Sequence, residues 1–342
     1  MIDIIPFHGW KNNLRLSNGS AELIATLDVG PRILSYAMPG RPSPLNVYAD
    51  QAGGTGEQVW RNRGGHRLWI APEEQKTTYH PDNSPVAWEK LSDLRVRLTP
   101  PPETPVGIQK QIEIELAPTG TQVTLTHRIT RLATAAADAT APAPVAQTAK
   151  SADEAQPRPL QNPKSKIENP LTLAPWALTV MRAGGTAIIP QPPFGEHPRD
   201  LLPNRNWVLW PYTDLGDPRW TFTPEFVFLR QDTNPALKPT KLGMALETGA
   251  GAYLCEGALF IKHFPFLPAA AAAYPDKGCN FETFTNARML ELESLAPLVT
   301  LQPGQTTEHI EHWQLREGPA ADIAASPRAL REWLLAERIF MY

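Results

Sequence analysis

From residue 108 to residue 129 the side chains alternate in character so regularly that few backbone conformations suit them. Ile108, Ile112, Ile114 and Leu116 alternate with Gln109, Gln111, Glu113 and Glu115. Pro118-Thr119-Gly120 turns the chain, and Val123, Leu125, His127 and Ile129 then alternate with Thr124, Thr126 and Arg128. A period of two sends successive side chains to opposite faces of a pleated strand. The segment therefore reads as two antiparallel strands with one face packed and the other wet.

Other short runs follow the same pattern. Residues 21–38 read as two strands around Asp28-Val29-Gly30-Pro31, with the glycine free to take a positive φ at the bend. Strand-like runs continue at 171–180, 187–189, 207–212, 220–230, 241–247 and 252–262, the last folded at Glu256-Gly257. The runs are separated by Pro, Gly, Asn and Asp, and 37 prolines among 342 residues is about twice the usual share. This punctuation favours β structure over helical bundles. An apolar fraction of 42% is enough for a core.

Residues 133–166 differ in kind, being rich in Ala, Pro, Thr, Gln and Lys without bulky apolar side chains. Ordering them would cost backbone entropy with little burial in return, so a flexible insertion is expected. Because strand signals resume in the same style afterwards, the chain reads as one interrupted domain over 1–342. Near the end, Ser326-Pro327 followed by Leu330, Trp333 and Leu334 gives an N-cap, a first-turn proline and helical apolar spacing. A short helix in a C-terminal extension, 320–342, is expected to pack on the sheets. No tandem repeat at a fixed period argues for a propeller or solenoid.

A formal net charge of -3 offers no general attraction for nucleic acid or an anionic membrane. No run approaches the roughly twenty apolar residues of a membrane span, and the start, MIDIIPFHGWKNNLRL, lacks a secretory pattern. Two cysteines, Cys255 and Cys279, form neither a disulfide framework nor a metal-ligand spacing. Free thiols in a cytoplasmic protein are the expectation.

No GxGxxG, P-loop, HExxH, CxxC or GxSxG pattern is present, so nucleotide, zincin and hydrolase-elbow sites have no support. What remains is a set of acids, bases and indoles suited to a sugar. Aromatic faces take the C–H surface of a pyranose, and carboxylates with Arg or Lys bind its hydroxyls. In the run 288–294, Glu291 and Glu293 share a face with Met289; in 307–315, Thr307, His309, Glu311, Trp313 and Leu315 share one parity. Two adjacent strands here could present Glu, His and Trp to one surface, although a solvated face with salt-bridging acids is the plainer alternative. His66, Arg67 and Trp69 follow Gly64-Gly65, where two glycines would let the backbone approach a ligand, with a structural loop role as the alternative for His66. Glu73 follows Ala71-Pro72 and is either a ligand contact or a turn acid. His127 lies on the apolar face of its strand and reads as a satisfied core histidine. Lys262 ends a strand, with a solvent-facing lysine as the alternative to a substrate contact.

These residues resemble the galactose mutarotase-like superfamily, specifically its DUF4380 branch. The resemblance rests on Gly30-Pro31-Arg32-Ile33, GGHRLWIAPE with its later PDN, APWALTV followed by GGTAIIPQ, and YPDKGCNFETFTN through LELESLAPLVTLQPG to EHW. It covers nearly the whole chain apart from the insertion and the terminal helix. It implies a large antiparallel β-supersandwich with a sugar on a concave face. It also implies an aldose 1-epimerase-like isomerase, in which a glutamate takes the proton of the anomeric hydroxyl and a histidine protonates the ring oxygen. Carried over, the glutamate falls on Glu282, with Glu293 as rival. The histidine position reads Ala174-Pro175-Trp176, so His66 is the candidate acid. Arg67, Lys262, Glu73 and Glu293 would bind the sugar, and Trp69 or Trp176 would stack on it. The resemblance implies no metal or organic cofactor and a small carbohydrate as partner. A non-catalytic carbohydrate-binding protein and a purely structural role stay open beside the enzyme.

Overall fold

The computed structural model describes residues 1–133 and 169–340. All but the first residue of the predicted 133–166 insertion therefore lies outside the described residues.

The chain opens with five strands of one sheet: β1 (Ile2–Phe7), β2 (Trp10–Ser17), β3 (Glu22–Thr26), β4 (Arg32–Ala37) and β5 (His66–Ala71). Four strands of a second sheet follow: β6 (Ala87–Ser92), β7 (Arg95–Thr99), β8 (Ile108–Leu116) and β9 (Val123–Arg131). After residue 169 the chain passes between the sheets. β10 (Leu171–Met181), β12 (Asn206–Leu209), β15 (Thr240–Ala245), β18 (Phe281–Asn286) and β19 (Met289–Leu295) return to the first. β11 (Thr186–Pro190), β13 (Trp220–Phe222), β14 (Phe226–Arg230), β16 (Ala250–Cys255), β17 (Ala258–His263) and β21 (Thr306–Glu317) join the second. β20 (Val299–Leu301) pairs with the start of β10.

The first sheet has 11 strands in the order β1-β2-β3-β4-β5-β10-β19-β18-β15-β12, with β20 off that path; the second has 10 in the order β13-β14-β11-β16-β17-β21-β9-β8-β7-β6. All the strand pairings are antiparallel, so the all-β, two-sheet expectation holds. The expected pair β8–β9 is in register from Ile108↔Arg131 to Leu116↔Val123, and β3 pairs β4 around the predicted bend. Two strands precede that hairpin, which the polar opening sequence did not suggest.

Alternation decides what fills the space between the sheets. Leu68 and Ile70 of β5 and Leu290 and Leu292 of β19 pack with Ile112, Ile114, Leu125, Phe260 and Trp313 of the other sheet in one buried cluster. The terminal helix Pro327–Ala336 covers the far face of the second sheet. Ser326 Oγ accepts the Ala329 N–H as its cap, and Leu330 and Leu334 bury against Ile188, Phe228, Leu259 and Ile261. Each such leucine contributes about 1.5–3 kcal/mol of burial. No helix among the described residues is long and apolar enough to cross a membrane.

Candidate functional site

Directly opposed residues of neighbouring antiparallel strands point to the same face. Across the middle of the first sheet, Arg67 opposes Leu178, Leu178 opposes Glu293, Glu293 opposes Glu282, and Glu282 opposes Gly243. Two positions along each strand in one direction, the same face carries Trp69, Trp176 and Leu295. In the other direction it carries Val180, Glu291, Phe284 and Lys241. Leu68, Ala177 and Ser294 lie between these rows and so point the opposite way, toward the second sheet.

On this outer face lies a cavity of about 320 Å³, at the lower end of small-ligand pockets. Trp60, Trp69, Tyr79, Trp176 and Tyr212 supply its aromatic walls, and Arg67, Lys241, Glu73, Glu291 and Glu293 its charges. The Arg67 guanidinium lies 4.3 Å from the Trp69 ring centre and 5.3 Å from that of Trp60. Its Nη2 donates to Glu291 Oε1 at 3.0 Å, while Nε and Nη1 have no hydrogen-bond partner. At the rim the Tyr79 hydroxyl donates to Glu73.

Glu293 sits at the floor. Its Oε2 accepts from Trp176 Nε1 at 3.0 Å and from Lys241 Nζ at 3.1 Å, while Oε1 has no partner. Burial pushes its carboxyl above the ordinary range, with Lys241 opposing and Glu291 adding to the rise. Lys241 Nζ also lies 2.7 Å from Glu282 Oε2, an ion pair without the alignment of a hydrogen bond. The ammonium rests between the rings of Trp176 and Trp210, at 5.0 and 4.7 Å. Burial alone would lower the Lys241 pKa, but Glu293 and Glu282 outweigh it and hold the pKa well above the ordinary lysine value.

Glu282 is fully buried and does not line the cavity. Opposite it, Gly243 leaves room for the Cys279 thiol and the Trp210 ring; a Cβ there would lie 2.5 Å from Cys279 Sγ and 3.0 Å from Trp210. Burial raises the Glu282 carboxyl well above its usual value, with Lys241 opposing and Glu293 and Asp276 adding to the rise. Of the two candidate glutamates, the rival Glu293 is the one a ligand in the cavity would meet.

The expected meeting of Glu282 with His66 does not occur. His66 is the strand neighbour of Arg67 and opposes Thr179, so it points between the sheets while Glu282 points outward. Lys262 is buried there too, neither solvent-facing nor in the pocket: its Nζ is 2.8 Å from Glu311 Oε1 and donates to the Leu292 carbonyl at 3.1 Å. The strand carrying His309, Glu311 and Trp313 belongs to the second sheet, so these side chains share no surface with Glu291 and Glu293. Nor do Gly64 and Gly65 admit a ligand. They pass neighbouring backbone, and a Cβ on Gly65 would lie 2.3 Å from the Ile33 carbonyl oxygen.

The inward groups form a closed hydrogen-bond network. His66 Nδ1 pairs with Thr179 Oγ1 at 2.9 Å, His66 Nε2 with His127 Nε2 at 2.7 Å, and His127 Nδ1 with the His309 carbonyl at 3.0 Å. That carbonyl can only accept, which makes Nδ1 the protonated nitrogen of His127 and its Nε2 the acceptor from His66. Ser294 Oγ lies 2.6 Å from His309 Nε2 and donates to Glu311, which also accepts Trp313 Nε1–H at 2.8 Å. Burial lowers the pKa of all three histidines. Ligating atoms of His66, His127 and Glu311 lie within 4.8 Å of one another, close enough for a metal. Each already has a partner, and Lys262 supplies the positive charge. The reading of His127 as a satisfied core histidine holds.

Of the predicted contacts, Arg67, Trp69, Glu73, Trp176 and Glu293 line one cavity; His66, Lys262 and Glu282 do not. Sequence reasoning missed Lys241, Trp60, Tyr79 and Tyr212. Lys241 had a signal, since it shares strand parity with Gly243 in an otherwise apolar run.

The backbone is similar to the Slr1438 protein of Synechocystis sp. PCC 6803, with a TM-score of 0.52 and 13% identity over 93% of this chain and all of that one. A TPR-domain containing protein from Parabacteroides distasonis ATCC 8503 gives 0.53 and 11% over 92% of this chain, which spans about half (48%) of that longer protein. At such identities the likeness concerns the fold alone. A galactose mutarotase-like protein from Lactobacillus casei ATCC 334 gives 0.48 and 10% over 89% of this chain and 100% of that one, too low a score to carry an argument. No family model matches the chain, and no curated protein does.

Proposed function

We propose that the outer-face cavity binds a small carbohydrate and that the protein is a mutarotase-like sugar isomerase of the DUF4380 kind. One observation carries the reading: aromatic walls enclose polar groups with unused hydrogen-bonding capacity, namely Glu293 Oε1 and Arg67 Nε and Nη1. Flat rings suit the apolar face of a pyranose, and unpaired donors and acceptors suit its hydroxyls. Glu293 is the base in this proposal. It lines the cavity, and its raised pKa brings it toward the range in which a carboxylate accepts and returns a proton near neutrality. His66 has no part in it, so the proton that Glu293 takes from the anomeric hydroxyl is passed by the same carboxyl to the ring oxygen as its bond to C1 breaks, and the reverse transfer closes the ring.

Binding without chemistry is the second reading. It is favoured by Trp176, whose indole N–H is spent on Glu293, at the position where the resemblance implies a proton-donating histidine. Aldoses are screened by thermal shift, and α/β anomer exchange is followed by NMR magnetisation transfer. The isomerase reading expects accelerated exchange that falls about 10²–10⁴-fold in Glu293→Gln. Stabilisation by sugars without acceleration selects the binding reading. If no sugar stabilises the protein, both fail.

A further inference from the structure

We infer that Glu282 and Glu293 hold a single proton between them beneath the Lys241 ammonium, with Glu282 the hidden partner that sets the charge of the ligand-facing carboxylate. Three independent features converge on this. The two glutamates are directly opposed on neighbouring strands and share a face, so neither can turn away without leaving the sheet's side-chain layer. One ammonium serves both, at 2.7 Å from Glu282 and 3.1 Å from Glu293. Both carboxylates are withdrawn from solvent, the Glu282 and Glu293 side chains being 0% and 1% exposed, although Glu293 also lines the cavity.

Charge counting then decides the protonation state. Two ionised carboxylates against one ammonium would leave a net negative charge on side chains withdrawn from solvent, where an unpaired ion is strongly disfavoured. Keeping one proton removes it. The surroundings do not alter the count. Asp276 and Cys279 face Glu282 from the turn before β18, and neither brings positive charge. Beyond Glu293, Arg67 is matched by Glu291, and Lys262, which acts on Glu293 from between the sheets, is matched by Glu311. Tyr212 and Glu73 stand at the rim and add no cation. Burial raises both glutamates, in keeping with a proton retained by the pair. As the titration belongs to the pair, it is read as a coupled quantity.

The inference deepens the sugar-site reading, since Glu293 is the carboxylate offered to the ligand there, but it is tested on ligand-free protein. Glutamate-labelled protein is titrated by carboxyl ¹³C NMR, in the wild type and in Glu282→Gln, Glu293→Gln and Lys241→Met. The wild type is expected to show one carboxyl protonated through pH 7. Glu282→Gln should leave Glu293 ionised at pH 7, and Glu293→Gln should do the same for Glu282, so either variant suffices if the other fails to fold. Lys241→Met should leave both carboxyls protonated. Two ionised carboxylates in the wild type at pH 7, or a remaining carboxyl whose titration ignores loss of its partner, would overturn the inference. A pocket that binds no sugar yet shows the shared proton would sink the proposed function and leave this intact.

Discussion

Substituting His309 by Gln should flatten the acid side of the protein's stability profile by an amount the structure specifies. The ring is buried between the sheets, with Nε2 held by Ser294 and His127 and Glu311 close by. Burial pushes its pKa down to about 3; Glu311 pulls up, and His127 and Lys262 push further down. In the unfolded chain a histidine titrates near 6.5. The folded pKa is thus depressed, so below pH 6.5 the unfolded state binds a proton that the native state refuses. The stabilising contribution is complete above pH 6.5 and drains away as pH falls from there toward about 3. Between pH 7 and pH 5 the loss is about 2 kcal/mol for this one residue.

His66 and His127 are shifted in the same direction by burial. Glu282 and Glu293, with raised pKa values, work with the opposite sign. The His309 share is therefore isolated as a difference, by urea unfolding of wild type and His309→Gln at pH 7, 6 and 5 with tryptophan fluorescence. The stability gap between the two proteins should narrow toward acid by about 2 kcal/mol. A gap that stays constant would mean that His309 titrates alike folded and unfolded, and the buried-neutral account would be wrong.

Two further outcomes follow from the geometry. Lys262→Met should destabilise the fold by about 3–5 kcal/mol in the same assay, because it strands Glu311 between the sheets without its ammonium, and adding Glu311→Gln should restore part of the loss. Gly65→Ala forces a left-handed residue (φ +72°) and sets a methyl 2.3 Å from the Ile33 oxygen; the backbone term alone costs about 1–3 kcal/mol, so a melting temperature equal to wild type would refute the close-approach argument.

The strands were legible wherever one side of the sheet is dry and the other wet. The alternation through β8 and β9 left no other arrangement, and the 21–38 hairpin and the capped terminal helix were equally plain. The site was half legible. Arg67 and Trp69 were reached from the Gly64-Gly65 approach, Trp176 from the resemblance and Glu293 from strand parity and the resemblance; they do share a cavity, although the two glycines admit no ligand. His66 was misplaced for a physical reason: on a strand buried on both faces, polar residues occur in either parity, so a histidine and the arginine beside it give no sign of which one faces the ligand. The same ambiguity hid the burial of Lys262.

Local sequence thus determined the strand periodicity, the turns and the residue types available to each face, because these depend on backbone geometry over a few residues. Which glutamate meets the cavity, which lysine lies between two carboxylates, and which histidines are sealed with Glu311 were decided by sheet order and register. Those pairings join positions as distant as Arg67 and Glu291, and only the packing of two whole sheets brings such partners into contact.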